Sequence, residues 1–223
     1  MVPAPLVVDV VVAARDAAST LAVVLARLSH RTIRQVVVVD RGSHDDTGAI
    51  ARDAGALVLR DPGAGHGAAC LLAIGHLAAL PEPPDIVAFV PADGSADAAG
   101  VPSLIAPIAA GSAELAIAVD AHADGRPLED RVVLGLIRAV YRHRFHAVGR
   151  MRAIRLPALV ALGMSDRGDG WDVEMQVRAV KLGLAIAEVP IPAQGAPARR
   201  GTVARAAASG RSLFHIVRHA TMR

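Results

Sequence analysis

The sequence predicts an α/β fold with a mostly parallel central sheet. Two observations carry this: strand and helix signals alternate along most of the chain, and 223 residues with 53% hydrophobic content are ample to bury one sizeable core. One domain is therefore expected.

Taken in order, LVVDVVVAA (6–14) reads as the first strand, interrupted by Asp9, and STLAVVLARLSH (19–30) as the first helix. QVVVVD (35–40), ALVLR (56–60), DIVAFV (85–90) and ELAIAVD (114–120) are the next strands. Between them fall helical DDTGAIARDAG, GHGAACLLAIGHLAAL and VPSLIAPIAAG. PEPPD (81–85) is a rigid turn before a strand. Polar, glycine-bearing ADGRPLED (123–130) reads as a mobile loop. A helical pattern follows from Arg131 to His146, then a short strand GRMRAIRL (149–156), a helix from Trp171 to Leu182 and a strand LAIAEVP (184–190). The tail from Thr202 onward is compatible with a closing basic helix.

Composition narrows the function classes. No apolar run approaches the roughly 18 residues of a membrane span, and the N-terminus shows no basic leader, so a soluble, cytoplasmic protein is expected. Cys70 is the single cysteine and reads as a small buried hydrophobe. Residues 1–196 carry a net charge of −3, whereas the tail carries +6 from Arg199, Arg200, Arg205, Arg211, Arg218 and Arg223. Such an arm can meet the phosphates of a nucleotide or a lipid head group, giving peripheral membrane contact, or be a solvated helix face. Nucleic acid is not an expected partner, because 2% aromatic content leaves little for bases to stack on.

In parallel sheets ligands sit beyond the carboxyl ends of the strands. There the chain places Asp16, Asp40, Asp61, Asp93 and Asp120. Any one of them can be a cap or turn residue; the set carries the signal. Other nucleotide chemistries fit less well. GAGHGA follows the third strand rather than the first, against a dinucleotide fingerprint, and a phosphate-loop lysine is excluded in a chain whose one lysine is Lys181. There is no HExxH pattern for zinc, and the His143 and His146 pair reads as a helix surface.

The order of motifs resembles glycosyltransferase family 2, particularly its dolichyl- or polyprenyl-phosphate sugar synthase branch. VVVVDRGSHDD resembles the family's VDDGS turn, DPGAGHGAA its glycine-rich turn, VPADGSAD its metal-binding segment, RMRAI its FRAI segment, GWDVEM its acceptor-side helix and RRGTVARAAASGRSLFHIV its basic C-terminal segment. The resemblance implies a GT-A fold, a three-layer α/β/α arrangement, and transfer of a sugar from a nucleotide-diphosphate sugar with inversion. It implies a donor-binding half over 1–120, an acceptor-side half over 121–196 and a basic arm over 197–223. By the same resemblance Asp16 and Asp40 would hold base and ribose, while His66, Arg152, Arg199 and Arg200 would bind substrate. Asp93 would anchor a divalent cation, Mg²⁺ or Mn²⁺, and Asp172 or Glu174 would act as general base for a hydroxyl acceptor. A polyprenyl phosphate acceptor would need no base.

Several positions depart from that pattern. Pro91 stands where the family has the first acid of its D-x-D segment, leaving Asp93 alone. Ala17, Arg41, Asp120 and His146 also replace family residues. A degenerate homologue that binds a nucleotide sugar or a partner protein without transfer is accordingly the alternative expectation.

Overall fold

The structure is a computed structural model describing residues 6–28, 31–61, 65–120 and 128–192. Its strands are β1 (Val8–Ala14), β2 (Ile33–Asp40), β3 (Leu57–Arg60), β4 (Ile86–Phe89), β5 (Leu115–Val119), β6 (Arg152–Arg155) and β7 (Ile186–Pro190). Its α-helices are α1 (Ala18–Arg27), α2 (Thr47–Asp53), α3 (His66–Ala78), α4 (Val101–Ala109), α5 (Leu128–Tyr141), α6 (Leu156–Leu162) and α7 (Trp171–Lys181).

Among the described residues the strands form one sheet in the order β3-β2-β1-β4-β6-β5-β7. Every pairing is parallel except those of β6, which runs antiparallel to both β4 and β5. Alternate residues of β1 face opposite layers, as period-2 geometry requires. Val8, Val10 and Val12 pack with Leu21, Val24, Leu104 and Ile108 of α1 and α4. Val11 packs instead with Ala69 and Leu77 of α3, Ile137 of α5 and Trp171 of α7. The sheet is thus sandwiched between helices, the expected three layers, and β6 and β7 are built into the same sheet as β1–β5. Asp9, fully buried in β1, is tolerated because Arg34 and Gln35 on β2 supply its partners.

Three segments differ from expectation. The polar 123–130 stretch was expected as a loop, yet residues 128–130 already belong to α5; 121–127 lie outside the described residues. The helix expected to reach His146 ends at Tyr141, where Arg142 turns to a positive φ of 56° and Phe145 folds into the core against His143. Strand β6 stops at Arg155, and Leu156 opens α6, with Pro157 in its first turn and Gly163 at φ 59° closing it. No helix among the described residues is long and apolar enough to cross a membrane. The basic tail lies outside the described residues.

Candidate active site

Topology gathers the strand-end residues along one rim. Asp16, Asp40, Asp61, Asp93 and Asp120 follow or end β1, β2, β3, β4 and β5. Because β6 runs the other way, it delivers its entry, Gly149 to Arg152, to that same rim. A cleft there is lined by His66, Cys70, Phe89, Pro91 and Arg150, with Val11 and Ala13 at its base.

On the β1/β2 side, Asp16 is exposed and its backbone is left-handed, φ 48°. The turn after β2 clasps it: His44 N–H donates to its carboxylate at 2.8 Å, and its own N–H donates to Ser43 Oγ at 3.0 Å. Asp40 is buried and accepts from the Ser43 N–H at 2.9 Å, so it shapes that turn. A Cβ at Gly48 would stand 3.0 Å from the other Asp40 oxygen, which explains a glycine there. Asp16 therefore presents its carboxylate to solvent, and Asp40 mainly supports it.

The glycine-rich turn has an unforeseen partner. Gly67 and Ala68, in the first turn of α3, donate to the carbonyls of Gly168 and Arg167 at 2.9 and 3.0 Å. A Cβ on Gly65 or Gly67 would fall 2.2 or 2.0 Å from a carbonyl of the same loop. These glycines admit the 165–170 segment, and the N–H groups of Gly67 and Ala68 are spent on it. His66 remains at the cleft. Burial pushes its imidazole below the usual histidine range, against an opposing pull from Asp172, so it enters the site neutral near pH 7.

Asp93 occupies the half-buried turn after β4. One oxygen accepts from the Ser95 N–H at 3.0 Å and the other from Arg150 Nη1 at 2.7 Å. Burial opposes its charge, but Arg150 and Ser95 outweigh it and hold the carboxyl below the ordinary range. Among the described residues no group of three or more His, Cys, Asp or Glu forms a closed cation cage. A Mg²⁺ or Mn²⁺ ion shared with a diphosphate needs only one or two carboxylates, and Asp93, once released by Arg150, can supply one. Arg41, half-buried beside Asp169 and Asp61, adds a second cation at the rim, its Nε lacking a protein partner.

Two expected roles change here. Arg152, named as a substrate ligand, is fully buried; it donates to the Gly149 and Asp172 carbonyls and sits 3.1 Å from the Asp172 carboxylate. It cannot reach a ligand in the cleft, and instead fixes Asp172. Glu174, named as a candidate base, is also fully buried, accepting from the Ser165 and Asp166 N–H groups, Ser165 Oγ and Arg178. At i+2 on α7 it points away from Asp172, and its oxygens are filled. Asp172 keeps 12% of its side chain exposed and lies within electrostatic reach of His66. Arg199 and Arg200 fall outside the described residues.

Arg150 and Asp169 escaped the sequence reading. Only the reversed direction of β6 brings Arg150 to the rim, and nothing in GRMRAI discloses direction.

Comparison with known proteins agrees with this architecture. Residues 9–159 match the family described as Glycosyl transferase family 2. An uncharacterized glycosyltransferase of Mycobacterium tuberculosis is 36% identical over 163 residues, covering 70% of this chain and 72% of that protein. Glycosyltransferase AglJ of Haloferax volcanii is 25% identical over 197 residues, 84% of this chain and 63% of its own length. Among solved structures, glucosyl-3-phosphoglycerate synthase from M. tuberculosis, in complex with Mn²⁺, UDP and phosphoglyceric acid, aligns with a TM-score of 0.81 at 20% identity, covering 98% of this chain and 80% of that one. At that identity the likeness speaks for the GT-A fold alone. Sheet order, rim acids and a family match over more than half of the chain together make this protein a member of glycosyltransferase family 2, a family of enzymes working on nucleotide sugars.

Proposed function

We propose that the protein transfers a hexose from a nucleoside-diphosphate sugar to the hydroxyl of a small acceptor, inverting the anomeric centre. Asp172 carries this reading: it stands at the head of α7, locked by the buried Arg152 and still partly open to solvent. A carboxylate fixed in this way is suited to accept the acceptor's proton as its oxygen attacks the anomeric carbon. Asp16, on the turn that Asp40 shapes, and the neutral His66 bind the donor, with Arg41 and Arg150 beside its diphosphate; Arg199 and Arg200 of the arm add charge. A divalent cation on Asp93, when bound, neutralises the departing diphosphate.

Of the two acceptors expected from the resemblance, the hydroxyl is favoured over polyprenyl phosphate. A phosphate needs no base, and the solved neighbour is a phosphoglycerate-glycosylating enzyme by name rather than a lipid-directed one. Membrane contact through the arm has no support. The functional division at 120 and 196 is part of this proposal.

The test is nucleotide release from UDP-glucose and from GDP-, TDP- and CDP-sugars, with phosphoglyceric acid among the acceptors. Asp172→Asn should lose about 10²- to 10⁴-fold in turnover with donor affinity kept. Donor binding without turnover, unaffected by Asp172→Asn, would favour the noncatalytic homologue. That second reading is motivated by Pro91 and by the ion pair that occupies Asp93.

A further inference from the structure

Arg150 sits at the rim beside Asp93. It stands one residue after Gly149, where a Cβ would fall 2.4 Å from the Ala118 carbonyl oxygen, so the chain packs closely against β5 there. The guanidinium therefore starts from a fixed backbone at the rim. It reaches Asp93, while Pro91, two residues earlier, is buried and without charge. The pair is partly solvated, with 37% and 24% of the two side chains exposed. Such a pair is weak enough to exchange partners. A diphosphate offers the guanidinium a stronger, two-pronged partner.

Resting on the donor-site reading above, we propose that Arg150 guards Asp93: it occupies the carboxylate in the free protein and passes to the donor's diphosphate on binding, so that nucleotide and divalent cation are taken up only together. A cation arriving alone meets a positive charge 2.7 Å from the oxygen it needs. A nucleotide diphosphate removes that charge and brings its own oxygens. Arg150 thereby holds Asp93 in the free protein and the departing diphosphate in the complex.

The experiment is calorimetric titration of MnCl₂ into the full chain, alone and with saturating UDP, GDP, TDP or CDP, for the wild type and for Arg150→Met and Arg150→Lys. The wild type should bind Mn²⁺ at least tenfold more tightly with its matching nucleotide than without. In Arg150→Met, Mn²⁺ alone should bind at least tenfold more tightly than in the wild type, and nucleotide alone at least tenfold more weakly. Arg150→Lys, which keeps the charge and guards against loss of folding, should stay near the wild type for Mn²⁺ alone. If Mn²⁺ binds the wild type equally with and without nucleotide, or Arg150→Met leaves both affinities unchanged, the guard is overturned while the donor site stands. Failure of every nucleotide to bind either form overturns both.

Discussion

Replacing Glu174 by glutamine keeps the side chain's shape but removes the charge that Ser165, Asp166 and Arg178 all address. Hydrogen bonds to a buried charged group are worth about 2 kcal/mol, and a loss of that order is expected in denaturant unfolding at pH 7. Burial opposes the charge of Glu174, yet the N–H groups of Asp166 and Ser165 outweigh it, so its carboxyl titrates below the ordinary glutamate range. Its contribution is then complete above about pH 4.3 and lost as pH falls through the lower folded value. The stability gap between wild type and Glu174→Gln should narrow progressively on acidification below about pH 4.3. Arg152→Met is expected to cost more, about 3 kcal/mol, because it strands the Asp172 carboxylate without its buried partner. If it proves neutral in the same assay, Asp172 has another anchor.

Among the elements, α3 and the 165–170 loop interlock through backbone contacts. Gly67→Ala places a Cβ 2.0 Å from the Asp166 carbonyl, and neither backbone can yield without breaking the paired N–H contacts of Gly67 and Ala68. A destabilisation of about 2 kcal/mol or more is expected in thermal or denaturant unfolding, together with weakened donor binding. A glycine in the GAGHG turn was legible as special in the sequence, but its reason was not: a phosphate and a peptide loop ask for the same missing Cβ. Strand positions were legible because valine-rich runs of four to eight residues bounded by polar turns have few other readings. Helix α6 was not, although Pro157 and Gly163 are ordinary boundary signals, because the four-residue β6 runs into it with no intervening loop. Asp172 and Glu174 could not be told apart either; two acids one residue apart differ only in which side of α7 is packed.

At the level of the whole molecule, the family and the layer order could be read from motif order alone, since both survive drift at individual positions. The direction of β6 could not, and with it went Arg150. An antiparallel strand of four residues inside a parallel sheet carries no local signature, as pairing direction is decided by where the chain enters. The same insertion bears on how the molecule comes into being. Strand β4 is buried on both faces and pairs with β1 on one side and β6 on the other. A nascent chain that has reached only Asp120 exposes that second edge, and its α3 still lacks the loop that completes the first turn. Until residues 149–170 arrive, the donor-side half is a sheet with an open, apolar border, prone to pairing with other chains. Expressed alone, residues 1–120 should aggregate rather than bind nucleotide, and the donor site should form only after most of the chain has been synthesised.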